Sequence, residues 1–188
     1  MTDTEADDRR MQWIEHEKAI RARHTEPPAP VPPAALAQRS GLDLLKSVML
    51  GELPAPPISH TLDFFLIEVE PGRVVFQGHP RAAFYNPIGS VHGGWTSTLL
   101  DSCVACAVHS MLPAGKGYTT VELKVNFVRA VMPDTGPLRA EGKVISVGSR
   151  IGTAEGRLMD ASGKLYAHAT TTCLIFDISD MKRDKRSD

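Results

Sequence analysis

The sequence predicts an α+β fold, an antiparallel sheet wrapped around one long central helix, preceded by a helix-rich extension. Two observations lead there. Hydrophobic residues recur with a period near two in six stretches, separated by Pro, Gly, Asn and Asp turn chemistry. A single stretch, Val91 to Leu112, is instead apolar or small nearly all round, and a helix of that kind needs cover on most sides.

Residues 3–24 are densely charged, with Met11, Trp13, Ile14 and Ile20 scattered among them, the pattern of a short amphipathic helix or a frayed arm. Pro27 to Pro33 reads as a stiff extended linker. Ala34 to Leu50 is expected as one helix with Leu42, Leu45, Val48 and Met49 on a face, ended by Gly51 to Pro57. From Thr61 a strand runs to the Pro71-Gly72 turn and returns from Val74 to about His79. The loop Pro80 to Ser90 leads into the long helix, closed by Pro113 and Gly115. Four extended runs follow, Tyr118–Val131, Leu138–Gly148, Ile151–Asp160 and Leu165–Phe176. In the first, Val121, Leu123, Val125 and Phe127 alternate with Glu122, Lys124 and Asn126, so one face is expected to be buried. The organisation is an extension at 1–57, a core domain at 58–177 and a charged tail at 178–188, expected to be disordered.

Composition narrows the function classes. The 188 residues hold 21 Lys plus Arg against 22 Asp plus Glu, so no net charge recommends nucleic acid or an anionic membrane. Three Cys give no disulfide framework and suit a reducing compartment. The start is acidic and lacks the pattern of a signal peptide, and Val91 to Leu112 carries Asp101, His92 and His109, against a membrane span. A cytoplasmic protein is expected.

Asp101 is the only formal charge between Arg81 and Lys116. A carboxylate inside an apolar helix needs a partner or a function, because desolvating the ion costs several kcal/mol or raises its pKa. Gly93 and Gly94 fall at the first turn of the same helix, where backbone N–H groups have no intrahelical partner and the helix dipole favours negative charge. Without side chains they let a ligand carbonyl approach closely, as an oxyanion requires.

Asn86, then His92-Gly93-Gly94, then Asp101 nine residues after the His, followed by the strand Thr119–Phe127, resemble the hotdog-fold acyl-CoA thioesterases of the PaaI-like and THEM type over roughly residues 58–177. The resemblance implies a thioester hydrolase acting on acyl-CoA, with coenzyme A part of the substrate and no separate cofactor or metal. It implies that the Gly93 N–H polarises the carbonyl, beside His92 and Gly94. It makes Asp101 general base or nucleophile, Thr120 a hydroxyl that holds the water, and Asn86 an amide that orients the thioester or water. It also implies a dimer or dimer of dimers with shared sites.

Plainer roles compete at each position. The glycines could serve tight helix packing, and His92 is expected to cap the helix before any direct chemistry. Asn86 before Pro87 is equally a turn residue, and Thr120 a strand former. Arg150 and Lys116 could meet coenzyme A phosphates, although solvated turn charges are commoner. Position 105, one turn after Asp101, is Ala where some aryl-CoA relatives carry a hydroxyl, so their arrangement does not transfer; Trp95 could narrow an acyl tunnel or pack on the extension. Cys103 and Cys106 have redox or zinc spacing but lie mid-helix without a second ligand pair, so core packing is expected. His109 is expected at the surface or an interface.

Gly93 and Asp101 are eight residues apart on one helix, a rise of about 12 Å, so a single thioester carbon cannot touch both. If both act on one bond, a second chain supplies one of them, most simply across a two-fold axis. Two rivals remain: a hotdog hydratase or dehydratase using a His with an acid, and a non-catalytic acyl-CoA sensor whose extension contacts a partner.

Overall fold

The computed structural model describes residues 2–179. The extension forms α1 (Asp3–Arg21), α2 (Pro33–Gln38) and α3 (Gly41–Met49), with a short α4 (Pro57–Thr61) leading into the core. The core contains β1 (Phe64–Glu70), β2 (Arg73–Gly78), α5 (Gly93–His109), β3 (Lys116–Phe127), β4 (Leu138–Val147), β5 (Ile151–Met159) and β6 (Leu165–Asp177). The six strands form one antiparallel sheet in the order β1-β2-β4-β5-β6-β3, wrapped around α5, so β1 and β3 are its two edges. This is the hotdog architecture expected from the sequence. The expectation for the charged tail falls on residues 180–188, outside the described range.

The sheet holds α5 at close range. Leu99, Leu100, Cys103, Val104, Ala107 and Val108 are fully buried. Gly142 of β4, paired with Gly156 of β5, lies directly beneath the helix; a Cβ there would sit 2.3 Å from the Cys103 carbonyl oxygen. Only glycine permits that approach.

The expected helix at Ala34–Leu50 is two helices. Arg39 is extended, and the Ser40 side chain accepts from the Asp43 N–H, capping α3 afresh. A serine offering a cap competes with helix continuation, and here the cap wins.

The arm at residues 3–24 is neither frayed nor weakly docked. Thr2 and Glu5 form a capping box, and α1 lies on the outer face of the sheet with Ile20 against Ile67 and Val75. Beneath it Glu17 is 2 % exposed and contacts Gln77, the His79 ring at 2.6 Å and Arg21 at 2.6 Å. Arg21 reaches Asp63 at 2.8 Å, and Arg139 both donates to the Gln77 side-chain carboxamide oxygen and lies over the Trp13 ring. Burial alone would raise the Glu17 pKa, but His79 and Arg21 hold it below the ordinary carboxylate value.

Strand β3 departs from simple alternation. Its pairing with β6 shifts register between Thr120 and Glu122, leaving Val121 as an extra residue. This bulge re-aims the strand. Tyr118 and Thr120 face α5 before it; Leu123 and Val125 pack on the core after it, and Phe127 lies against Gly93. Val121 therefore leaves the expected buried face and is 57 % exposed, and Phe127, at the strand end over Gly93, is 58 % exposed instead of buried.

Candidate active site

The middle of α5 and the bulge of β3 bring Asp101 and Thr120 together. The Thr120 hydroxyl donates to the Asp101 carboxylate at 2.9 Å, and among the described residues this is the hydrogen bond Asp101 receives. The carboxylate is half-buried rather than sealed within the core, with no cation paired to it among the described residues. A lone neutral donor leaves lone pairs available to a water or substrate, which a salt bridge would occupy.

At the N-terminus of α5 the His92 ring accepts the Gly94 N–H on Nδ1 at 2.8 Å, and the His92 carbonyl accepts from Trp95. His92 is thus the helix cap, as expected, and it occupies the Gly94 donor. The Gly93 N–H has no partner among the described residues, as an N1 position allows. The Phe127 ring lies over Gly93, 3.0 Å from where a Cβ would stand. Both line an open pocket of about 340 Å³ with Ser90, Val91, Thr96 and residues 128–131. Asp101 does not line it, in keeping with the rise of about 12 Å between the two positions.

The other candidates separate. Asn86 is committed to its own loop: its carboxamide oxygen accepts from the Ile88 and Ser90 N–H groups at 3.1 and 3.2 Å, and its nitrogen donates to the Ser90 hydroxyl at 2.8 Å. Lys116 pairs with Asp177 at 2.9 Å. Arg150 stands exposed in the β4–β5 turn. The Trp95 indole donates to the Leu62 carbonyl at 2.8 Å and stacks on Phe84 within the core. Cys103 and Cys106 are packed as expected; burial and then the nearby Tyr118 and Asp101 groups leave the Cys106 thiol at about 11, so it stays protonated at neutral pH. No cluster of metal-ligating side chains occurs among the described residues.

His109 requires a correction. It is 8 % exposed, packed against Tyr118 with ring centroids 4.8 Å apart and overlain by Gly41 at the start of α3. Burial lowers its pKa to about 4. Position on α5 alone did not show that the extension crosses that end of the helix. Tyr118 and Phe127 also escaped the motif reading; their alternation with Thr120, Leu123 and Val125 was the available signal.

The sequence profile of the thioesterase superfamily matches residues 88–167. A protein of Saccharolobus solfataricus with the provisional name of esterase is 34% identical over 115 residues, covering 61% of this chain and 80% of that one. The crystal structure of a phenylacetic acid degradation-related protein from Ralstonia eutropha, provisionally named a thioesterase, superposes with TM-score 0.63 at 30% identity, covering 69% of this chain and 98% of that one. The E. coli PaaI protein shares the fold at TM-score 0.58 and 22% identity, over 63% and 83% of the two chains. Fold, motif and relatives thus define a hotdog thioesterase. The chain belongs to the thioesterase superfamily, among its PaaI-like members.

Proposed function

We propose that the protein hydrolyses acyl-CoA thioesters as a homodimer with two shared sites. The observation that carries this reading is the half-buried Asp101 carboxylate of α5, held by one neutral hydroxyl from β3, a strand whose outer edge is unpaired among the described residues. In the reaction water attacks the thioester carbon, Asp101 takes its proton, the C–S bond breaks and the coenzyme A thiolate recovers a proton. Direct attack by Asp101 is the other route from the same geometry. Thr120 fixes the carboxylate and shares the water. The Gly93 N–H of a second protomer stabilises charge growing on the carbonyl oxygen. Arg150 and Lys116 are the cations proposed for the coenzyme A phosphates.

The edge of β3 supports the dimer. It is 12 residues long, pairs only with β6 among the described residues, and exposes Val121 and Phe127 at 57% and 58%, with Val128 just beyond it at 52%. Such an edge is a template for pairing with a copy of itself. The hydratase rival is disfavoured because the His92 nitrogen is occupied by Gly94 at the far end from Asp101.

The test is thiol release from a panel of acyl-CoAs by wild type and Asp101→Asn. The variant is expected to keep its fold by circular dichroism while kcat falls a hundredfold or more. Unchanged turnover would remove the mechanism. Single-turnover hydrolysis in ¹⁸O-water tests for the second route, since an Asp101–acyl anhydride opened by water at the Asp101 carbonyl leaves label in the enzyme, which the general-base route cannot do.

A further inference from the structure

We infer that an apolar chamber roofed by the N-terminal extension receives the acyl part of the substrate, so that the extension sets acyl specificity. This deepens the thioesterase reading and rests on it. The chamber holds about 230 Å³ and lies in the seam between the two sheet edges, where the sheet does not close around α5. Val31, Leu36 and Val48 of the extension form its roof; Phe65 of β1, Cys106 of α5 and Tyr118 of β3 form its floor and walls. The roof residues lie outside the matched stretch 88–167, whereas Cys106 and Tyr118 lie within it.

Three observations join the chamber to the reacting centre. Tyr118 is two residues before Thr120 on the same inward side of β3, and Thr120 bonds Asp101. Cys106 is five residues beyond Asp101 on α5, a rise of about 7.5 Å, and lies 3.7 Å from the Tyr118 hydroxyl. The Asp101 charge adds to burial in raising the pKa of both Cys106 and Tyr118, so the carboxylate is near both. The chamber begins about a turn and a half beyond the carboxylate.

Its lining selects an uncharged occupant. Cys106 and Tyr118 stay protonated at neutral pH; His109 is held neutral by burial, and His24 is shifted the same way by burial and His60. Among the described residues no carboxylate, Lys or Arg lines the space. A dry cavity of about 150 Å³ holds benzene. By proportion this one accommodates about eight or nine carbons, a medium straight chain or a phenyl ring on a short tether. Each methylene it takes from water contributes roughly a fourfold gain.

The experiment measures kcat/KM of the full chain for acetyl-, butanoyl-, octanoyl- and phenylacetyl-CoA, beside Val31→Phe, which fills the roof. It adds calorimetric binding of an octanoyl thioether analogue of the substrate. Wild type is expected to favour octanoyl or phenylacetyl over acetyl by at least tenfold, and Val31→Phe to reduce that ratio at least tenfold. A ratio insensitive to chain length in wild type, or unmoved by the variant, overturns the chamber while leaving hydrolysis intact. If no acyl-CoA releases thiol, hydrolysis itself has failed and the analogue decides: binding weakened tenfold by Val31→Phe supports the chamber, and equal binding overturns it. Should that variant not fold, Val31→Ala enlarges the roof and is expected to move the optimum toward decanoyl-CoA; an unmoved optimum counts against the chamber.

Discussion

Two carboxylates sheltered by the same sheet meet opposite fates. Glu17, under α1 on the outer face, touches His79, Arg21 and Gln77. Asp101, on the inner side near the β3 edge, receives one hydroxyl from Thr120. Burying a charge is tolerable when partners replace its hydration, and Glu17 is so satisfied that it has nothing left to offer a ligand. Asp101 sits less deeply with fewer partners, and so keeps lone pairs free. The difference in partners and depth separates a carboxylate that fastens an element from one available for chemistry.

Glu17→Ala should give the largest effect. It strands Arg21 and His79 beneath α1 and is expected to cost about 3–5 kcal/mol in denaturant unfolding, while molecules still folded retain turnover. Asp101→Asn should do the reverse, changing the unfolding midpoint little while kcat falls by the factor given above. If the two variants behaved alike in both assays, the contrast between the sites would be lost.

The next effect is on pH. His109 has a folded pKa of about 4, below its ordinary 6.5, so the unfolded chain binds the proton first. Stability should therefore rise with pH between about 4 and 6.5 and fall as pH drops through that window, by on the order of 3 kcal/mol at most. In His109→Phe the slope in that window should flatten. The depressed Glu17 acts separately: its contribution is present above the ordinary carboxylate pKa and is lost as pH falls through its lowered folded value. Unfolding curves at pH 7, 5.5 and 4 for the two variants distinguish the contributions. Smallest is Thr120→Val, which removes the one donor to Asp101 among the described residues. A loss of about tenfold in kcat, with little change in stability, is expected from one hydrogen bond to a charged group.

The central helix and its strands were readable because apolar residues without charge from Val91 to Leu112, and period-two runs around them, are consequences of burial on a sheet. Asp101, Gly93 and the His92 cap were readable for the same reason: each breaks or begins that pattern. The extension was not. Its charged residues 3–24 look solvated in sequence: the Glu17–Arg21 spacing alone suits an exposed helix pair, and nothing local shows that Glu17 faces Gln77 and His79, about sixty residues along the chain. His109 was misplaced because α3 reaches it only through long-range packing at Gly41. Asn86 shows the converse, since its Asn-Pro context fits equally a turn and an amide donor, and its bonds in the structure all close within the loop.

The supernumerary Val121 carries a final consequence. Because strand side chains alternate, one residue decides which side the following segment presents. Were Val121 to take a regular place in the ladder, Leu123, Val125 and Phe127 would turn outward, or else Thr120 would rotate away from Asp101; deleting it would instead leave Glu122 following Thr120 in an even ladder with both halves still inward. Exchange of the side chain at 121 changes only what the exposed bulge presents; loss of the residue changes the local bend and twist of the strand while leaving the same side chains inward.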